Sequence, residues 1–288
     1  MIGIWIGVIA GLVLLVVVAL TRVYHNPQVP HQTTPDQFDI DFEVVRFPTR
    51  NNCSLYGWWI PDVDTTESLP TLILVHGFSR NVERMLPYIR NLHGQGFHLL
   101  AFDARHHGSS DPDKFSSMLK FAEDIRAAVD FVEHRAGVDP RRIGVLGLSI
   151  GGAGTIYAAA HDERIRAGVT VGAFAHPEAV MRLEFRKRRF PYIPFVWLLF
   201  RFMEYRIGAR FDDIAPINNI RQVKAALLLV HGQDDQTVPV EQGEHLYATA
   251  IPDRTELWLQ PGRGHSDCHL EPDFWERLDC FFNNAWIK

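Results

Sequence analysis

Residues 142–152 read Arg-Ile-Gly-Val-Leu-Gly-Leu-Ser-Ile-Gly-Gly. The segment 142–149 is a short apolar run of strand length, and the small-residue stretch 151–161 that follows reads as a helix. Gly147, Ser149 and Gly151 together make a G-x-S-x-G element. Glycines on either side of the serine permit a sharp, strained strand-to-helix turn that lifts the hydroxyl clear of the backbone. The helix that starts there directs its first amides at a reacting carbonyl. A bare G-x-S-x-G match is common by chance, and a glycine-rich turn with an incidental serine is the plain alternative. The strand–turn–helix setting is what makes Ser149 the expected nucleophile.

On both sides of this element, strands and helices alternate. FEVVRF (42–47) and SLYGWWI (54–60), separated by a polar turn, predict an antiparallel hairpin. TLILVHG (71–77) is continuously apolar, as a strand buried on both faces must be. A helix over 81–93, a strand over 97–103 and an amphipathic helix over 118–135 follow, the last with Ala122, Ile125, Val129 and Val132 on one face. Further strands are expected at 167–174, 225–232 and 256–260, and helices near 240–250 and 273–284. The pattern predicts an α/β fold, a mostly parallel eight-stranded sheet with helices on both faces. One stretch, 176–216, breaks the alternation. Between Arg182 and Arg210 it carries eight basic and two acidic residues around the apolar run FPYIPFVWLLF (190–200). It is expected to be a small helical cap inserted over the active edge of the sheet.

A serine needs a base, and the base needs an orienting carboxylate. Behind G-x-S-x-G turns the order is serine, acid, histidine. After strand 225–231 comes His231-Gly-Gln-Asp-Asp-Gln-Thr-Val-Pro239, and after strand 256–260 comes Pro261-Gly-Arg-Gly-His265-Ser. His265 is the expected base. Asp235 and its neighbour Asp234 are the candidate partners. Two amides must hold the oxyanion. That of Ile150, next to the nucleophile, is one; the turn His76-Gly77-Phe78-Ser79 supplies the other, assigned to Phe78. His76 is read as a structural residue at a strand end.

Five segments carry a resemblance: Leu74-Val-His-Gly-Phe-Ser, Phe102-Asp-Ala-Arg-His-His-Gly-Ser-Ser110, Gly147-Leu-Ser-Ile-Gly-Gly152, His231 to Pro239, and Gly264-His-Ser266. In this order, from about residue 42 to 285, they resemble the α/β-hydrolase superfamily, and best its prolyl-oligopeptidase/dienelactone-hydrolase-like group. The resemblance implies that the acid of the D-x-x-V-P motif, Asp235, belongs to the triad. It also implies that the Asp103–Ser110 turn is structural, so Asp103, Arg105 and His106 receive no catalytic role. The long apolar and basic insert departs from a minimal member and bears on the substrate.

Composition bounds the rest. The chain has 288 residues, 47% hydrophobic and 22% charged, with a net charge of −5. This is ordinary globular composition with no basic field for nucleic acid. Cys53, Cys268 and Cys280 are too few for a disulfide framework or a zinc site. His265, Asp267, Cys268 and His269 lie close together, but on one loop, unlike rigid metal sites. Arg186–Arg189 lacks the aromatic stacking motif of an RNA module and suits anionic lipid headgroups or a solvated face. No nucleotide, flavin or metal motif is present, and no cofactor is expected. Residues Ile2–Leu20 are uncharged. As a helix they reach about 28 Å, and they exceed the apolar core of a cleaved signal peptide. The expected organisation is a transmembrane anchor at 1–21, a proline-rich linker at 22–40 and a hydrolase domain at 41–288. Arg22 places that domain on the cytoplasmic side. The expected activity is cleavage of carboxylic esters or thioesters with hydrophobic acyl groups. Amide hydrolysis, acyl transfer and non-catalytic binding on the same fold are the alternatives.

Overall fold

Val138–Leu148, the strand that leads to Ser149, sits inside one eight-stranded sheet. In this computed structural model residues 26–62 and 67–287 are described, together with Gly7, Gly11, Leu14, Leu15 and Val18. The strands are β1 (Glu43–Pro48), β2 (Ser54–Ile60), β3 (Leu69–Val75), β4 (His98–Phe102), β5 (Val138–Leu148), β6 (Ile165–Val171), β7 (Ala226–Gly232) and β8 (Thr255–Gln260). Their spatial order is β1-β2-β4-β3-β5-β6-β7-β8. β1 and β2 are antiparallel, as is β2 with β4; β3 to β8 are all parallel. The expected strands are all present. β5 begins four residues earlier than expected, because Val138 pairs with Leu69 ahead of a register shift.

Side-chain alternation explains the two-sided burial. Ile73, Val75, Ile143, Val145, Leu227 and Leu229 point to one face, while Leu72, Leu74, Leu146, Leu148, Leu228 and Val230 point to the other. The first face is covered by α2 (Met118–Val132), α3 (Ile150–His161) and α6 (Val240–Thr249); the second by α1 (Leu86–Leu92) and α7 (Phe274–Ile287). Each such buried aliphatic side chain contributes about 1.5–3 kcal/mol. The helix expected over 81–93 is a short 3-10 turn, Val82–Met85, followed by α1. Pro87 falls in the first turn of α1, where its missing N–H costs nothing.

The insertion between β6 and β7 is helical, as expected. It comprises α4 (Pro177–Lys187), a wide turn at Tyr192–Val196, α5 (Trp197–Ile207) and two single turns, Phe211–Ile214 and Pro216–Asn219. It has its own apolar centre of Phe185, Val196, Leu199, Phe200, Phe211 and Ile214, which continues onto Met118 and Ala153 of the main domain.

Two expectations concern the N-terminus. The apolar run Ile2–Leu20, expected as an anchor, lies outside the described residues apart from the five named above. Among the described residues no helix is long and apolar enough to cross a membrane. Of the expected linker, residues 26–40 are described, and they are fixed to the domain rather than extended from it. The Asn26 side chain donates to the His106 carbonyl (3.0 Å), Gln28 to that of Ser110 (2.7 Å) and Asn81 to that of Val29 (2.9 Å). The His31 ring stacks on Tyr56 and meets the edge of Trp58.

Candidate active site

Ser149 sits between β5 and α3 with φ 54° and ψ −118°, a conformation that costs a non-glycine residue about 1–3 kcal/mol. Two backbone bonds hold it there: Ser149 N–H donates to Val171 O (2.8 Å), and Ala153 N–H donates to Ser149 O (2.9 Å). The flanking glycines are required by close approach. A Cβ on Gly147 would lie 2.4 Å from Gly151 O, and one on Gly151 would lie 2.6 Å from His76 O. Strand, turn and helix touch here without room for a methyl group. The serine side chain is half-buried, so solvent and a substrate can reach it.

The second strand end brings in the carboxylate. The Asp235 side chain is fully buried. Its Oδ1 accepts from the amides of Thr237 and Val238, each at 2.8 Å, which fixes its rotamer. Its Oδ2 accepts from His265 Nδ1 at 2.6 Å. Asp234, the competing acid in the sequence, is exposed, and its amide is tied to Arg263 O. The same turn is braced from behind by His231, a residue to which the sequence reading gave no role. Its Nε2 donates to Val238 O (2.8 Å) and lies 3.5 Å from Asp235 Oδ2. Burial lowers its pKa. The one available signal was its position, four residues before the acid.

His265 lies beside the elbow. A Cβ on Gly172 would meet His265 Nδ1 at 3.0 Å and Asp235 Oδ2 at 3.5 Å. Gly172, at φ 65°, directly follows Val171, whose carbonyl holds the Ser149 amide. The imidazole therefore packs against the residue next to the one that clamps the serine. With Nδ1–H committed to a carboxylate, Nε2 of the neutral ring is left with a lone pair, as a base requires.

The two expected amide donors flank Ser149. Ile150 is the first residue of α3, and the first amides of a helix have no partner within it. The turn after β3 approaches from the other side, since a Cβ on Gly77 would lie 3.5 Å from Ser149 Cβ. His76 organises that turn. Its Nε2 accepts from Ala104 N–H (3.1 Å), so its Nδ1 carries the proton and donates to Gly77 O (2.7 Å). Peptide planarity then sends the Phe78 N–H away from His76. Complete burial drives the His76 pKa down to about 3, so the ring is neutral. Its inaccessible position matches a structural residue.

The Asp103–Ser110 turn binds loops together. Asp103 accepts from Val82 N (2.6 Å) and Ser109 N (2.7 Å), and burial raises its pKa to about 6. Arg105, wholly buried, pairs with Asp124 (2.7 Å) and Glu123 (2.5 Å). Of the run His265–His269, His265 faces Asp235, whereas Asp267 accepts from Gly264 N (2.7 Å). Among the described residues no group of three His, Cys, Asp or Glu side chains is placed to hold a metal ion.

Known proteins are similar to this chain. A family model described as serine aminopeptidase, S33, matches residues 66–205. The uncharacterized protein YfhR of Escherichia coli is 29% identical over 229 residues, 78% of this chain and 74% of that protein. YfhR of Salmonella typhimurium is 25% identical over 273 residues, 94% and 87% respectively. Among solved structures, the Pyrococcus furiosus esterase Pf2001 superposes with a TM-score of 0.74 at 25% identity, covering 91% of this chain and 98% of the esterase. A puromycin-hydrolyzing peptidase of Mycobacterium tuberculosis shares the fold, with a TM-score of 0.68 at 14% identity over 86% of this chain and 39% of the peptidase. With the eight-stranded sheet, the elbow at Ser149 and these similarities together, the chain has the α/β-hydrolase fold and is similar to serine hydrolases of that superfamily.

Proposed function

We propose that the protein hydrolyses carboxylic esters or thioesters, preferentially with hydrophobic acyl groups, through an acyl-enzyme on Ser149. His265 takes the serine proton and returns it to the leaving group. Asp235 holds the imidazole in the required tautomer and stabilises its charged form. The amides of Ile150 and Phe78 bind the oxyanion. Water then releases the acid by the same steps. The observation that carries this reading is the short bond from His265 Nδ1 to the buried Asp235 carboxylate, with the ring packed beside the clamp on Ser149. The preference for apolar acyl groups follows from the cap, whose aromatic centre reaches Ile150 next to the nucleophile. We further propose that Ile2–Leu20 anchors the chain in a membrane, with the hydrolase domain on the cytoplasmic side.

The serine aminopeptidase match favours amide cleavage as a second reading. An aminopeptidase needs a carboxylate for the substrate ammonium. The cap glutamates are engaged elsewhere: Glu178 accepts from Tyr192 OH (2.8 Å), Glu184 pairs with Lys187 (3.3 Å) and Glu204 with Arg201 (2.8 Å). The test is full-length protein in detergent, assayed on p-nitrophenyl esters from acetate to palmitate and on aminoacyl amides, beside Ser149→Ala. Ester turnover and fluorophosphonate labelling that both vanish in the variant are expected. Labelling with amide turnover alone would transfer the assignment to the peptidase reading, and absence of labelling would refute both.

A further inference from the structure

The outer surface of the cap has no part in the chemistry above. Phe190 (41% exposed), Ile193 (72%) and Trp197 (45%), within eight residues of one another, give an exposed apolar tip, and Phe202 and Tyr205 on α5 are exposed as well. Arg186, Arg188 and Arg189 stand exposed immediately before that tip. Among the described residues no carboxylate pairs with these three arginines. A tip of aromatic and aliphatic side chains beside unpaired guanidinium groups fits a bilayer interface, rings at the acyl boundary and cations on phosphates.

A second observation concerns placement. The partners of Asn26, Gln28 and Val29 are His106, Ser110 and Asn81, in the loops that follow β4 and β3. Those loops lie at the sheet edge that carries Ser149. The cap reaches the same loop. The Arg206 guanidinium lies 4.5 Å from the centre of the Phe115 ring and donates to Lys114 O (3.2 Å). The chain therefore enters the domain at its catalytic edge, beside the cap. Only residues 21–25 separate the apolar run from this fixed point at Asn26, a reach of at most about 20 Å.

We propose that the cap tip docks onto an anionic lipid bilayer, so that the Ser149 site faces the membrane surface and draws acyl substrates from it. The substrate clause rests on the serine-hydrolase reading; the docking does not. The test uses full-length protein with Cys53→Ser and Cys280→Ser, carrying a bimane probe on Ile193→Cys or, as a control, on Tyr247→Cys of α6. It is mixed with phosphatidylcholine vesicles holding a doxyl-lipid quencher, with or without about one-third phosphatidylglycerol. The expected result is several-fold stronger quenching at 193 than at 247 in the anionic vesicles. Arg186→Glu/Arg188→Glu/Arg189→Glu should lower that quenching about tenfold while leaving fluorophosphonate labelling in detergent unchanged. Equal quenching at both positions, indifference to the triple variant, no association with either vesicle, or burial of the 193 probe between protein copies in detergent would each overturn the docking. Loss of Ser149 labelling with quenching intact would overturn only the chemistry.

Discussion

Asp235→Asn isolates the orienting carboxylate without disturbing the turn around it. In the native site Oδ1 accepts two amides and Oδ2 accepts His265 Nδ1. An asparagine can occupy the same rotamer in one orientation only. Its carbonyl oxygen must take the Thr237 and Val238 amides, because its NH2 cannot face two donors. The NH2 then points at His265 and must donate to Nδ1, which forces the imidazole proton onto Nε2. The base now presents a proton to Ser149 where it needs a lone pair. A tautomer forced this way costs about 10⁴-fold in kcat. At about 1.36 kcal/mol per decade this is about 5.4 kcal/mol of transition-state stabilisation. Folding should change by only about 1–2 kcal/mol, since two of three hydrogen bonds persist and the third becomes neutral. The assay is kcat on p-nitrophenyl acetate with the rate of fluorophosphonate labelling, read beside the thermal midpoint. Asp234→Asn is the control and should stay close to wild type. An Asp235→Asn enzyme within tenfold of wild type, or an equal loss in Asp234→Asn, would refute the assignment.

Three further outcomes follow from the packing. Gly151→Ala puts a methyl group 2.6 Å from His76 O and 2.9 Å from Val75 O, both backbone atoms, so stability should fall by at least about 2 kcal/mol and labelling should be lost; a variant that keeps both would show that the elbow yields more easily than its contacts imply. Phe200→Ala removes a fully buried ring from the cap centre, a loss of about 3–5 kcal/mol confined to that cluster. Palmitate ester turnover should drop more than acetate turnover, and a uniform loss would speak against an acyl role for the cap. His76 titrates near 3 in the fold and near 6.5 when unfolded, so the unfolded chain binds more protons between those values and stability falls as pH drops below 6.5. Denaturant titrations should show about 3 kcal/mol of this loss by pH 4, and His76→Gln should remove that component of the slope. An unchanged slope in the variant would place the acid sensitivity elsewhere.

The inner strands β3 and β7 were legible because burial on two faces leaves few polar positions to mask them. Leu72–Val75 and Leu227–Val230 have no other reading. The elbow was legible because three residues, Gly147, Ser149 and Gly151, at fixed spacing answer one geometric demand. Residues 26–40 were not. Pro27, Pro30 and Pro35 read as a spacer, yet what fixes the segment is side chains meeting loop carbonyls some 80 positions away in sequence, and such contacts have no period. The cap was legible as an insertion but not in its sides. Within 190–200, Val196, Leu199 and Phe200 go inward while Phe190, Ile193 and Trp197 go outward. Pro191 and Pro194 interrupt the helix there, and with it the regular period by which one face could have been told from the other.

Asp234 and Asp235 mark where spacing gives way to geometry. They are neighbours of one type on one turn, and composition cannot separate them. What separates them is the direction of the backbone after β7. Gly232 passes so close to Arg263 and Gly264 that a Cβ there would lie 2.3 Å from Arg263 O. Asp234 N then bonds to that same carbonyl, which ties its backbone to the loop carrying His265 and leaves its side chain in solvent. The next residue is turned inward, onto the amides of Thr237 and Val238, and His231 buttresses the far side of that turn. The Val-Pro that ends the motif has a physical reason in this arrangement. Val238 offers its amide to Asp235, its carbonyl to His231 and its side chain to the cap cluster, and Pro239 stands at the N-cap of α6, where no donor is needed. The register of that motif is therefore a record of which carboxylate the turn can bury.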